Sequence, residues 1–246
     1  MELLFEQKVT VRDCDLNNNG LLKLSALLRY TQEASGGHSD RLGFSWDALA
    51  EKGLFWAVLR HRAVIHRLPA LGETLTMQTW PLPATRSAYP RAVRCLDQEG
   101  NCLFEVMSLW VLMDIKTRAM ILPGRSGVDV PGIVRGDEIG APGSITPGDF
   151  ENTGLWQIAP EDLDINGHVN NAMYLDRVEA LTGDFSASHS PREFTVCYLS
   201  EVLPGQELTL SWQLTEDGLL SAEGRRTRTD VPDQQQRVFA VRLQYT

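Results

Sequence analysis

Long apolar runs are missing from this chain. None of its hydrophobic stretches approaches the roughly 20 residues that cross a bilayer, so no membrane span is expected. Cysteine is scarce: Cys14, Cys95, Cys102 and Cys197 are scattered without a C-x-x-C pair, which argues against both a zinc site and a disulfide framework. Reduced, structural thiols are expected, with no metal and no cofactor. Basic charge is not in excess either, since 23 Lys and Arg face 32 Asp and Glu for a net charge of −9, which argues against wholesale nucleic-acid binding. The opening MELLFEQKVTVRD lacks the basic flank and apolar core of a signal peptide, so a cytoplasmic protein is expected.

What is present is an ordinary globular composition, 43% apolar and 22% charged, over 246 residues, enough for one large domain or two of common size. DCDLNNNGLL, Asp13 to Leu22, resembles the start of a calcium loop. Counted from Asp15, oxygen side chains fall at positions one, three and five and Gly20 at six. The twelfth position, which should close the coordination sphere with a glutamate, is Ala26.

The same stretch has an echo. DCDLNNNGLLKLSALLRY from Asp13 aligns on DLDINGHVNNAMYLDRVE from Asp162, an offset of 149, and PALGETLTMQTW aligns on VLPGQELTLSW with Gly72 and Gly205 offset by 133. Two copies of one unit are therefore expected, the first with about sixteen more residues in its helical section. The second copy also lacks a closing carboxylate, having Met173 there, so the oxygen-rich turn serves something other than calcium.

In the first copy Leu24, Leu27, Leu28, Thr31 and Ala34 have helical spacing, and Gly36 and Gly37 are expected to end or bend that helix. In the second, Tyr174, Val178 and Leu181 share a face and Gly183 is the stop. ELTLSWQL and RVFAVRLQY alternate as half-buried antiparallel strands, Asp217-Gly218 and Asp97 to Gly100 supply hairpin turns, and Leu103 to Met113 reads as a central strand. Pro123 to Asn152, rich in Gly, Pro and Asp, reads as a linker. The expected class is α+β, a tandem or double hotdog in which each half is a helix wrapped by a curved antiparallel sheet: residues 1–122, a linker 123–152, and residues 153–246.

Chemistry concentrates in the second copy. At an offset of 149, Asp15 matches Asp164 and Asn17 matches Asn166, but Asn19 stands where the second copy has His168, the group that titrates near neutral pH. A helix expected to begin near Val169 to Asn171 would offer backbone N–H groups to developing negative charge. Carboxylate, amide, imidazole and helix start together suit water attack on an activated carbonyl. Turn-forming and helix-capping roles for the Asp and Asn residues suffice for the first copy; His168 makes them insufficient for the second.

DLDINGHVNNAMYLD resembles the second-domain signature of the acyl-acyl-carrier-protein thioesterases, bacterial and plant enzymes with a double hotdog fold. LLRYTQEASGGH, FWAVLRHRAVIHRLPALGETLTMQTW and SLWVLMDIKTR are similar to that family's amino-terminal domain. The resemblance implies a catalytic group of Asp164, Asn166, His168 and Glu201, no cofactor, and release of free fatty acid from acyl carrier protein. Val202 stands where plant members usually carry a cysteine, so direct water attack is favoured over a covalent route. It also implies an acyl pocket in the first half, for which Trp56 and Met77 are candidate lining residues. An acidic carrier protein would need a local basic patch, for which Arg60, Arg62, His66 and Arg67, or Arg91 and Arg94, or Arg225, Arg226 and Arg228 are candidates. An acyl-coenzyme A thioesterase and a non-catalytic thioester-binding hotdog are the alternatives, and a homodimer is left open.

Overall fold

The structure, a computed structural model, describes residues 2–164, 167–183, 185–227 and 234–246. The chain divides into two compact units, with the boundary in sequence between Pro142 and Gly143.

In the first unit β1 (Phe5–Thr10) leads through a three-residue 3-10 turn, Asp13–Asp15, to α1 (Leu24–Arg41) and α2 (Trp46–Ala50). Then come β2 (Leu54–Ile65), β3 (Thr74–Pro81), β4 (Tyr89–Leu96), β5 (Cys102–Asp114), β6 (Met120–Ile121) and α3 (Pro123–Ser126). The sheet order is β1-β3-β4-β5-β2, all antiparallel, with β6 on β5. As its apolar run requires, β5 lies between two neighbours.

Leu24, Leu27, Leu28, Thr31 and Ala34 are all buried, and α1 packs this face on β1, β3 and β4. The helix does not stop at Gly36 and Gly37 but continues to Arg41. Glycine costs a helix interior about 1 kcal/mol, yet here tertiary packing outweighs it. The Phe5 ring would lie 3.6 Å from a Cβ on Gly37, stacks on His38 with centroids 5.5 Å apart, and carries Arg41 4.5 Å above its centre.

The second unit contains β7 (Asn152–Gln157), a 3-10 turn at Pro160–Asp162, α4 (Met173–Glu179), α5 (Phe185–Ser188), β8 (Pro191–Tyr198), β9 (Glu207–Leu214), β10 (Leu219–Thr227) and β11 (Gln235–Tyr245). Its sheet order, β7-β9-β10-β11-β8, repeats that of the first unit position by position. α4 passes into a 3-10 turn, Ala180–Thr182, and ends at Gly183 with φ 54°. Val238 to Val241 are buried on both faces of β11, so this strand is central rather than half-exposed.

The expected linker is a strap fastened at both ends. In the first unit Val128 and Val130 join the core beside Tyr89 and Leu112, Ile133 N–H donates to the Pro81 carbonyl at 2.9 Å, and the Trp80 indole donates to Glu138 at 3.0 Å. A Cβ on Gly132 would fall 2.2 Å from the Leu82 backbone, so only glycine lets the strap cross there. In the second unit the Ile145 carbonyl accepts from Arg237 at 2.7 Å. No helix among the described residues is long and apolar enough to cross a membrane.

Candidate active site

The repeat is real, but its register differs from the one the sequence suggests. Asn17 N–H donates to the Leu21 carbonyl at 2.8 Å, and Asp164 N–H to the His168 carbonyl at 2.8 Å. Gly20 N–H meets Asn17 and Gly167 N–H meets Asp164, both at 3.0 Å, with φ 74° and 75° at the two glycines. Leu16 bridges Leu22 as Leu163 bridges Val169. Every pair is offset by 147, the distance from Asp15 to Asp162. Matching on the Asp-x-Asp pattern slipped the alignment by two residues. Asp15 corresponds to Asp162, Asn17 to Asp164, and His168 corresponds to Leu21 rather than Asn19.

The corrected register separates scaffold from site. Asp15 and Asp162 are buried carboxylates that tie each turn to its helix. Asp15 accepts from Tyr30 at 2.7 Å, Arg12 at 3.0 Å and Arg29 at 3.4 Å. Asp162 accepts from Arg177 at 2.8 Å, the Ala159 N–H at 2.9 Å and the Trp156 indole at 3.0 Å. Burial pushes both carboxyls up, but these donors outweigh it and hold both below the usual range. Two of the three side chains that resembled calcium ligands, Asp15 and Asn17, are thus committed within the protein. Asn17 Oδ1 accepts the N–H groups of Asn19 and Leu21 at 3.0 and 3.1 Å.

In the second unit the turn carries Asp164 and His168, and the loop after β8 carries Glu201. Val169 N–H donates to the Val202 carbonyl at 3.0 Å, which joins the two segments one residue from His168 and one from Glu201. His168 Nε2 stands 3.9 Å from Glu201 Oε2, both groups partly open to solvent, and Asp164 Oδ1 accepts the His168 N–H at 3.4 Å. Asn166 lies outside the described residues. The first unit builds the same join, Leu22 N–H to the Pro69 carbonyl at 2.8 Å. There Leu21 and Leu68 occupy the places of His168 and Glu201.

The expected helix start needs correction, and the expected structural thiol does not. α4 begins at Met173, not near Val169, and the N–H groups of Val169 and Asn170 are taken by Val202 and Asp162, so neither is an oxyanion donor. Cys197, the nearest thiol in sequence, is buried with its Sγ on the Gly143 carbonyl at 3.7 Å, which agrees with a structural role.

In the first unit a cavity of about 210 Å³ lies between α1 and the sheet. Its apolar wall includes Phe44, Trp56, Tyr89 and Trp110, and Arg91 adds a cation. Of the two candidate lining residues, Trp56 lines this cavity; Met77 is 1% exposed in the core and does not.

The candidate docking clusters are largely spent on internal contacts. Arg91 is buried against His38, Ser39 and Thr79, and burial lowers its guanidinium to about 10. Arg67 pairs with Glu73 at 2.7 Å, Arg94 with Glu105 and Asp137 at 2.8 and 2.9 Å, and Arg225 with Glu223 at 2.6 Å. Arg228 lies outside the described residues. His66, Cys102 and Glu105 converge closely enough to hold an ion. Arg94 already occupies Glu105, and burial pushes the Cys102 thiol up to about 11, so the group does not suit a metal.

Residues 2–122 match the model of the acyl-ACP thioesterase N-terminal domain, and residues 152–240 that of its C-terminal domain. The chain belongs to the acyl-ACP thioesterase family. It is 26% identical over 243 residues to a chloroplastic dodecanoyl-[acyl-carrier-protein] hydrolase of Cinnamomum camphora, covering 89% of this chain and 62% of that protein. Against the palmitoyl-acyl carrier protein thioesterase of Arabidopsis thaliana the identity is 26%, over 70% of this chain and 46% of the relative. The chain thus spans between about half and three-fifths of the length of these relatives. Among solved structures, it superposes on an acyl-ACP thioesterase from Bacteroides thetaiotaomicron with TM-score 0.81 at 20% identity, covering 99% and 98% of the two chains. The 12:0-ACP thioesterase of Umbellularia californica gives TM-score 0.81 at 21% identity over 100% and 98%. These two likenesses carry the hotdog-type fold of acyl-ACP thioesterases to this chain.

Proposed function

We propose that this acyl-ACP thioesterase hydrolyses acyl-[acyl-carrier-protein] in fatty acid biosynthesis, releasing the free fatty acid. The two units are read as tandem hotdog domains, the first holding the acyl chain in the cavity beside Trp56 and the second doing the chemistry. The observation that carries this reading is the substitution between equivalent backbone places: His168 and Glu201 in one unit, Leu21 and Leu68 in the other. A duplicated turn that puts a titratable pair in only one copy has an asymmetry that folding does not require.

In the proposed reaction a water between His168 and Glu201 attacks the thioester carbonyl carbon. Its proton passes to the group formed by Asp164, His168 and Glu201, and the carbonyl oxygen takes up the negative charge. Collapse of the tetrahedral species breaks the C–S bond, and the departing thiolate receives the proton. Asn166, which the family resemblance adds to the group, is assigned to orienting the carbonyl. The 3.9 Å separation is wider than a direct hydrogen bond, as suits a pair bridged by the attacking water.

The test is thiol release from one acyl chain carried in turn by acyl carrier protein and by coenzyme A. Faster release from the carrier protein is expected. Faster release from coenzyme A would move the assignment to the other handle, and no release from either would overturn the hydrolase reading.

A further inference from the structure

The loop that carries Glu201 is gripped by a side chain from a different strand. Arg226, near the end of β10, uses all five of its N–H donors. Nη1 donates to the carbonyl of Glu201 itself at 2.8 Å and to Gln206 Oε1 at 3.1 Å. Nη2 donates to Ser200 Oγ at 2.9 Å and to Gln236 Oε1 at 2.9 Å, and Nε to the same Gln236 oxygen at 3.2 Å. Gln206 Oε1 also accepts the Leu203 N–H at 3.1 Å, so one guanidinium and one amide close the loop around Glu201.

The first unit closes the equivalent loop another way. Glu73 stands at the place of Gln206 and accepts the Ala70 N–H at 2.7 Å, but its cation is Arg67, from the loop itself, at the place of Ser200. Strand pairing of Thr76 with Leu96 and of Thr209 with Arg225 puts Asp97 at the place of Arg226. The loop therefore folds without a strand-borne arginine. We propose that Arg226 is a positioning residue for hydrolysis: it ties the Glu201 backbone to β10 and β11 and so holds the carboxylate at its working distance from His168. This rests on the reading of His168 and Glu201 as the reacting pair. A lysine, with three donors on a flexible stem, cannot reproduce the fork.

Arg226→Lys in the full chain, assayed on an acyl-[acyl-carrier-protein], is expected to lower kcat by about ten- to a hundredfold, the effect of misplacing a reacting group by an ångström or less. KM should stay within about twofold, because the clamp holds the reacting carboxylate and not the acyl chain, and the thermal midpoint within a few degrees, because the first unit closes the equivalent loop without a strand-borne arginine. Gln236→Leu removes only two of the five bonds and is expected to lower kcat several-fold; it serves where Arg226→Lys is too unstable to assay. Retention of kcat within twofold in both variants, a rise in KM with kcat kept, or midpoints that fall in step with kcat in both would overturn the clamp. Wild-type turnover by His168→Ala and Glu201→Ala would instead overturn the reacting pair on which it depends.

Discussion

Val169 donates its backbone N–H to the carbonyl of Val202 at 3.0 Å, as Leu22 donates to Pro69 at 2.8 Å. One backbone bond, built twice, holds a turn and a loop side by side. In one copy the neighbouring side chains are His168 and Glu201, in the other Leu21 and Leu68. The pair thus rests on a scaffold that also tolerates leucine.

That equivalence makes His168→Leu and Glu201→Leu informative, because each installs the residue that the other unit carries at the same place. Each should cut thioester hydrolysis by at least about 100-fold, the usual contribution of general acid-base catalysis. The thermal midpoint should hold or rise slightly, since a half-exposed polar group is exchanged for an apolar one on a turn that accepts it. Thiol release and a melting curve on the same sample check both. Near-wild-type hydrolysis by either variant contradicts the assignment.

Much of this arrangement was legible in the sequence. Leu103 to Met113 reads as a central strand because both faces are apolar, and Asp97 to Gly100 and Asp217-Gly218 mark turns because a tight reversal needs glycine at positive φ, found at Gly100 and Gly218. Less was legible where local pattern and tertiary packing disagree. Gly36 and Gly37 suggest a helix end, yet contact with Phe5 carries α1 through them. Asp-x-Asp occurs in both copies by coincidence of spacing, and only the hydrogen-bond ladder shows that Asp15 answers to Asp162. Arg91 and Arg226 look like surface charge in a sequence; one is buried, and the other spends every donor on its own fold. The exchange of Glu73 for Gln206 was the available signal for the clamp, visible once the second offset of 133 was aligned.

Three hydrogen-bonded carboxylates predict how stability depends on pH. Asp15 and Asp162 are held below the ordinary aspartate value, and Glu138 is held at about 2. Burial pushes Glu138 up, but the N–H groups of Arg135 and Gly136 and the Trp80 indole outweigh it. A carboxyl with a depressed folded pKa contributes stability that is fully present above its unfolded value, about 4, and is lost as pH falls through the folded one. Unfolding free energy should therefore decline from about pH 4 downward, towards pH 2 in the case of Glu138. Denaturant titrations across that range should show a shallower decline in Asp162→Asn than in the wild type, and an identical slope would remove Asp162 from the account.

Asp162→Ala tests the scaffold itself. It leaves the Ala159 N–H and the Trp156 indole without their acceptor, at about 1–3 kcal/mol for each buried donor. Folding should weaken, and Asp15→Ala should weaken it in the same direction although that unit lacks the His–Glu pair. A large loss of kcat in Asp162→Ala with stability unchanged would instead make Asp162 part of the chemistry.

Trp56 and Met77 were candidates for the same role, and the structure separates them. Trp56 forms part of the cavity wall, with its indole edge-on to Tyr89 at 5.0 Å. Met77 faces the core at 1% exposure. Trp56→Ala should enlarge the cavity and shift the released fatty acids towards longer chains, because the added volume adjoins the apolar space proposed to hold the acyl chain. Met77→Ala should instead destabilise the first unit by about 2–5 kcal/mol, the usual effect of truncating a buried methionine, with the chain-length profile unchanged. Product analysis over a graded series of acyl-[acyl-carrier-protein] substrates, beside denaturation of both variants, distinguishes wall from core. A profile that moves with Met77 and not with Trp56 would place the acyl chain outside this cavity.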